Sequence, residues 1–144
     1  MMFQKYSRNI VCLNLTKKKN EREGPLSREY EYFINKVLNK DLPTQLKPIY
    51  IHYDVKANQK ARKKLKEPEV LALVKQGLTP FPYDFLDLAR RSIERTDFFS
   101  CKPIDRTTLC WIEIQRGVIR TNCIDSLDRT NFAQEMIGYS VLLK

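Results

Sequence analysis

Apolar positions in this chain recur with two periods, and the switches between them predict its elements. The run "NIVCLNLT" (9–16) alternates and carries β-branched residues, which predicts a strand. "KKKNEREGP" (17–25) then reads as a charged surface loop closed by Gly24-Pro25. In "SREYEYFINKVLNK" (27–40), Tyr30, Phe33, Ile34, Val37 and Leu38 share one helical face, and Ser27 is placed to cap the helix. "DLPTQLK" breaks that helix, and "PIYIHYDV" (48–55) predicts a second strand. Residues 56–77 read as a charged helix or loop interrupted near Pro68, followed by a short apolar helix. "TPFPYDFLDLARRSIERTDFF" (79–99) opens on prolines and settles into a helix with Phe85, Leu88, Ala89 and Ser92 on one side. "TLCWIEIQ" (108–115) and "GVIRTN" (117–122) predict strands, and "RTNFAQEMIGYSVLLK" (129–144) a closing helix.

This order of strands and helices predicts an α/β domain in which helices flank a mainly parallel sheet. No repeat or linker divides it. The closing helix ends at "SVLLK" with no capping glycine and with apolar residues at the chain end, the expectation for a cut inside a larger domain.

Composition narrows the class. Of 144 residues, 42% are hydrophobic and 30% charged, with only four glycines and seven prolines, which excludes a disordered chain. No apolar run approaches the ~20 residues of a membrane helix. "MMFQKYSRNIVCLNL" lacks the apolar core of a signal peptide. The four cysteines form no Cys-x-x-Cys pair, so neither a zinc site nor a disulfide scaffold is expected, and a reduced cytosolic setting leaves a thiol available. His52 is the sole histidine, without a second ligand-type cluster for a metal or a triad. Asp54 either caps the helix after its strand or faces the site.

The net charge of +9 points to nucleic acid, acidic lipid or a phosphorylated substrate; the plain alternative is a basic domain with no dedicated anionic partner. Lys56, Lys60, Arg62, Lys63, Lys64 and Lys66 place six positive charges in eleven residues. They form either a solvated helix face or a contact with an anionic membrane, at ~1 kcal/mol per basic residue near the bilayer. No aromatic residue lies between 54 and 80, which argues against a nucleic-acid surface.

Two segments carry the Cys-x5-Arg spacing with which a cysteine phosphatase holds phosphate: Cys110 to Arg116 and Cys123 to Arg129. "CWIEIQR" is bulky and β-branched, so its ends should lie ~20 Å apart at ~3.3 Å per residue. "CIDSLDR" instead holds turn-forming Asp125, Ser126 and Asp128, with Asn122 just before it, between a strand and a helix. Strand, tight loop and helix N-terminus make the architecture that aims backbone N–H groups at an anion and favours a cysteine thiolate. Arg129 could fork onto two phosphate oxygens or stand as a surface arginine at a helix start. The glycines of a protein-tyrosine phosphatase loop are missing.

"RTNCIDSLDRTN" (120–131) strongly resembles the signature of the Sac-domain phosphoinositide phosphatases, differing at Ser126, where that family carries a second, non-nucleophilic cysteine. "IVCLNLTKKKNEREGPLSREYEYFINKVLN", "IYIHYDVK", "ERTDFF" and "RGVIRTNCIDSLDRTNFAQEMIGYSVLL" look most like the subgroup acting on phosphatidylinositol 3,5-bisphosphate. The resemblance spans nearly all of residues 1–144 but only the later part of a Sac domain, whose N-terminal subdomain is absent; a fragment need not be active alone.

The resemblance implies a metal-independent phosphatase with no cofactor, removing the 5-phosphate. Cys123 is the nucleophile, forming a cysteinyl phosphate, and Arg129 binds the phosphate. Asp125 is the favoured general acid, with Asp128 capping the helix or orienting Arg129; the roles could be exchanged, or the acid could come from another loop. Thr130 either donates to the sulfur or is an ordinary first-turn residue, and Asn122 and Asn131 stitch the loop. Asn122, Ser126, Thr130 and Arg120 are the expected substrate contacts. By the same resemblance the setting is peripheral, on the cytosolic face of endosomal or vacuolar membranes. The partners are phosphoinositide lipid and a complex of a phosphoinositide kinase with a HEAT-repeat scaffold, and no nucleic acid. The competing functions are a non-catalytic lipid-binding or scaffolding segment and a basic nucleic-acid-binding domain, which would explain the charge but not the loop.

Overall fold

The computed structural model describes residues 9–77, 80–105 and 107–143, apart from the side chain of Trp111. The chain runs β1 (Asn9–Asn14), α1 (Glu23–Tyr32), β2 (Ile49–His52), α2 (Val55–Lys64), α3 (Glu67–Lys75), α4 (Tyr83–Thr96), β3 (Ser100–Pro103), β4 (Leu109–Glu113), β5 (Gly117–Asn122) and α5 (Asp128–Leu142). β1 is the middle strand of a parallel sheet of order β2-β1-β5, as an α/β reading requires. It is also the most buried strand, because both neighbours and both faces cover it. Gly117 makes the start of β5 possible: a Cβ there would lie 2.2 Å from the Asn9 carbonyl oxygen.

The two faces of β1 carry separate cores. Leu13 and Leu15 pack with Val55, Phe85, Ala89, Cys123 and Ala133, joining the sheet to α4 and α5. Ile10 and Cys12 face the other way, toward Ile34, Tyr30 and Leu38 of α1 and its continuation. Phe85, Ala89 and Ser92 are buried and Leu88 is half-buried, as the helical face from 79 to 99 predicts; its first residue, Thr79, lies outside the described residues, as do the N-terminal segment 1–8 and Lys144.

Several expectations need correction. The charged stretch 17–25 is not all surface loop, since α1 begins at Glu23, and Glu23 and Gly24 are buried. The Asn20 side chain caps this start by accepting from the N–H groups of Arg22 and Glu23 (2.9 and 3.0 Å), and Pro25 falls in the first turn, where no helical N–H is needed. Ser27 is therefore no cap. It lies inside the helix, buried, accepting from Asn14 Nδ2 at 3.0 Å. The helix continues as a π-helical turn over Phe33–Leu38, and its wider winding shifts the apolar face: Ile34 is buried while Phe33 and Val37 are exposed.

"TLCWIEIQ" does supply a strand, but β4 pairs antiparallel with β3 in a two-stranded ribbon and not in the parallel sheet. β3, "SCKP", has no strand pattern of its own and is defined by its partner. Among the described residues, no helix is long and apolar enough to cross a membrane.

Candidate active site

A parallel sheet brings the C-terminal ends of its strands to one edge, where α/β folds place ligands. Here that edge collects the last residue of each strand and the one after it: Asn14 and Leu15 from β1, His52 and Tyr53 from β2, and Asn122 and Cys123 from β5. The backbone stitches them: Leu15 N–H donates to the Asn122 carbonyl at 2.8 Å, and Tyr53 N–H to the Asn14 carbonyl at 2.9 Å. The segment leaving β1 is gripped from three sides. His52 Nε2 donates to the Thr16 carbonyl (2.7 Å), Lys17 N–H donates to Glu23 Oε2 (2.9 Å), and Arg129 Nη1 donates to the Leu15 carbonyl (3.2 Å). His52 is thus structural.

Asn14 is the hub of this edge, fully buried at the end of β1 after four apolar residues, Ile10 to Leu13. Its Nδ2 donates to Ser27 Oγ and to the Tyr50 hydroxyl (2.9 Å). Its Oδ1 accepts from Thr16 N–H, Thr16 Oγ1 and Asn122 Nδ2, the last at 3.0 Å. The residue before Cys123 is therefore fixed by a side chain 108 positions upstream. Asn122 Oδ1 is itself buried without a partner among the described residues.

Between β5 and α5 the chain bends through residues 124–127, and Ser126 takes the left-handed region at φ +54°. Cys123 is buried, and its thiol donates to Asp125 Oδ1 at 3.1 Å and lies 3.2 Å from Thr130 Oγ1. The same Asp125 oxygen accepts from Leu127 N–H at 3.1 Å, closing an Asx-type turn. Asp125 is exposed, and the Cys123 thiol and the Leu127 N–H hold its carboxyl below the usual range. The structure thus joins Cys123, Asp125 and Thr130. Asp128 and Asn131 are exposed; Asp128 is the first residue of α5, and no side chain caps that helix.

Arg129 turns inward. It is 6% exposed, and Nη1 and Nη2 meet the two carboxylate oxygens of Glu23 at 2.6 and 3.3 Å. Burial opposes charge on both side chains, but each holds the other ionised: the Glu23 carboxyl is pulled down and the Arg129 guanidinium pushed up. Cys123 and Asp125 also act on Arg129 electrostatically. Arg120 goes elsewhere. It sits on the α1 face of β5, where Nη1 donates to the Tyr30 hydroxyl (3.3 Å) and the guanidinium lies over the Tyr30 ring.

Glu23 and Asn14 are the residues that the motif did not indicate. Glu23 lies in a charged run that reads as solvated, and only a polar residue inside an apolar strand hinted at Asn14. Asp54 caps α2, accepting from Ala57 N–H at 2.9 Å. The lysines of the 56–66 cluster are exposed, and Arg62 pairs with Glu67 at 2.9 Å. Among the described residues, no group of three or more histidine, cysteine or acidic side chains could hold a metal ion.

No protein-family model matches the chain. A polyphosphoinositide phosphatase of Schizosaccharomyces pombe is 35% identical over 143 residues, covering 98% of this chain and 15% of that protein. Phosphoinositide phosphatase SAC3 of Arabidopsis thaliana is 29% identical over 184 residues, covering 98% of this chain and 22% of the relative. Phosphoinositide phosphatase SAC6 of the same organism is 64% identical over a stretch of 28 residues. The chain spans about 15–22% of the length of the two curated relatives that it matches nearly end to end.

Proposed function

The chain is a homologue, over nearly its whole length, of phosphoinositide phosphatases of the Sac family, and from that premise we propose that it carries the catalytic loop of such an enzyme. The observation that carries the reading is the Cys123 thiol donating to Asp125 at 3.1 Å, with Thr130 alongside and Arg129 at the start of the next helix.

Chemistry follows from that contact. Asp125 takes the thiol proton as the Cys123 sulfur attacks phosphorus. The bond from phosphorus to the inositol oxygen breaks, and Asp125 returns the proton to the leaving alkoxide. Water then attacks the cysteinyl phosphate, gives a proton to Asp125, and releases phosphate as the thiol is restored. Arg129 stabilises charge on the transferring group. The resemblance extends the reading to the 5-phosphate of phosphatidylinositol 3,5-bisphosphate, to endosomal or vacuolar membranes, and to assembly with a lipid kinase and a HEAT-repeat scaffold.

A second reading, a non-catalytic lipid-binding segment, is favoured by one fact: a carboxylate already occupies one edge of the Arg129 guanidinium.

Phosphate release from a short-chain soluble phosphoinositide separates the two. Cys123→Ser is expected to lower turnover at least about a thousandfold while lipid binding persists. Asp125→Asn should slow the lipid substrate far more than an aryl phosphate, whose leaving group departs without a proton. Retained turnover in Cys123→Ser would remove the nucleophile from the proposal. The same leaving-group signature in Asp128→Asn alone would move the acid there, and its absence in both would move it outside the loop, with Asp54 next in line. Lipid binding by the wild-type chain without turnover would favour the second reading.

A further inference from the structure

We infer that Glu23, 106 residues upstream of Arg129 and outside the signature, is a positioning residue that selects which edge of the guanidinium meets a substrate phosphate; this deepens the phosphatase reading and rests on it. A guanidinium carries five N–H donors, grouped as an Nη1/Nη2 fork at the end and an Nε/Nη2 fork along the side. Three of the five are used here. Both Nη1 donors go to Glu23 Oε2 (2.6 Å) and the Leu15 carbonyl (3.2 Å), and one Nη2 donor goes to Glu23 Oε1 (3.3 Å). The two that remain, on Nε and Nη2, lie side by side, and among the described residues they have no partner. That edge matches two oxygens of a tetrahedral phosphate.

Glu23 is itself held in place. Lys17 N–H donates to Oε2, Asn20 Oδ1 accepts the Glu23 N–H, and Gly24 N–H donates to the Asn20 carbonyl at 2.7 Å. Gly24 lets the helix start press on the β1 exit, since a Cβ there would lie 2.6 Å from the Lys18 carbonyl oxygen.

The opposite role is a latch, in which substrate displaces Glu23. That would strand a carboxylate whose side chain is 9% exposed, with the Lys17 N–H left as a donor, and an unpaired buried charge is strongly unfavourable. Binding to the second fork needs no such displacement.

The two roles predict opposite signs. In the full chain with 15N-labelled arginine, tungstate serves as a tetrahedral oxyanion probe, read at the Arg129 Nε–H resonance and by calorimetry. Tungstate is expected to shift that resonance in the wild type, and Glu23→Gln should weaken its affinity on the order of tenfold, the scale of a charge-assisted hydrogen bond. Glu23→Asp, which keeps the charge on a shorter arm, should recover part of the loss. Circular dichroism accompanies each variant; if Glu23→Gln does not fold, Glu23→Asp decides, and wild-type affinity there overturns the inference. Unchanged or tighter binding by a folded Glu23→Gln also overturns it, the latter pointing to the latch. No binding by the wild type, or undiminished binding by Arg129→Ala, removes the phosphate loop itself and this inference with it. Binding that depends on Arg129 but ignores Glu23 removes only the inference.

Discussion

From Cys110 the chain continues along β4 to Glu113, and Arg116 ends 78% exposed, its Nε 3.6 Å from Asp97. From Cys123, with the same spacing, the chain leaves β5, bends through four residues and enters α5, so that Arg129 is buried against a carboxylate. Identical spacing thus gives a surface arginine in one segment and a core ion pair in the other. The difference lies in what fills the spacing. Trp111, Ile112 and Ile114 favour an extended chain, whereas Asp125 and Ser126 turn it, with Asp125 capturing the Leu127 N–H.

The largest contrast is in stability. Arg129→Met leaves Glu23 charged and unpaired in the core and is expected to cost about 3–5 kcal/mol, whereas Arg116→Met should change stability by roughly 0–1 kcal/mol. Urea unfolding of both variants checks this, and equal losses would erase the distinction between the segments.

A smaller effect sharpens the comparison through pH. Burial raises the Glu23 pKa, but Arg129 and the Lys17 N–H outweigh it, so the folded value lies below the ordinary carboxylate value of about 4.3. Between those two values the unfolded chain binds more protons, so stability rises with pH. The contribution is complete above about pH 4.3 and is lost as pH falls through the folded value. The acid limb of stability against pH should therefore be steeper in the wild type than in Glu23→Gln, while Arg116→Met keeps the wild-type limb. Parallel limbs in wild type and Glu23→Gln would separate the ion pair from the titration.

The smallest effect concerns Ser126, which holds φ +54° in the turn that has no counterpart at Ile112–Gln115. Ser126→Gly should stabilise by up to about 1 kcal/mol by relieving the left-handed backbone, offset in part by added freedom in the unfolded chain. A thermal melt that moves downward instead would mean that the serine side chain contributes more than the backbone loses.

Legibility followed locality. The bend between β5 and α5 was readable because turn-forming Asp125 and Ser126 and the flanking strand and helix act over a few residues, whereas the roles of Cys123, Asp125 and Thr130 were named only through the resemblance. The parallel sheet was readable because β1 and β5 carry their own apolar pattern. Glu23 was not, since a glutamate in "KKKNEREGP" reads as solvated until a partner 106 residues away buries it. Arg120 illustrates the reverse. It lies in the signature, yet strand alternation turns it toward Tyr30, on the sheet face away from Leu13 and Cys123. Phe33 and Val37 followed helical periodicity in sequence and lost it to a π-helical turn.

The pairing of β1 with β5 sets the order in which this edge can assemble. Joining strands about a hundred residues apart closes a loop whose entropy is roughly 4 kcal/mol plus a constant, before any neighbouring contact repays it. Asn14–Asn122 and Glu23–Arg129 span the same loop and require only local ordering once the strands meet. Early folding events therefore see neither contact. Losing the ion pair should mainly speed unfolding and leave the folding rate nearly unchanged, the behaviour of an interaction formed after the transition state. The edge proposed to bind phosphate is, in kinetic terms, a late finish on a slow parallel topology, and on that proposal an oxyanion present during refolding would find little to bind until the strands had paired.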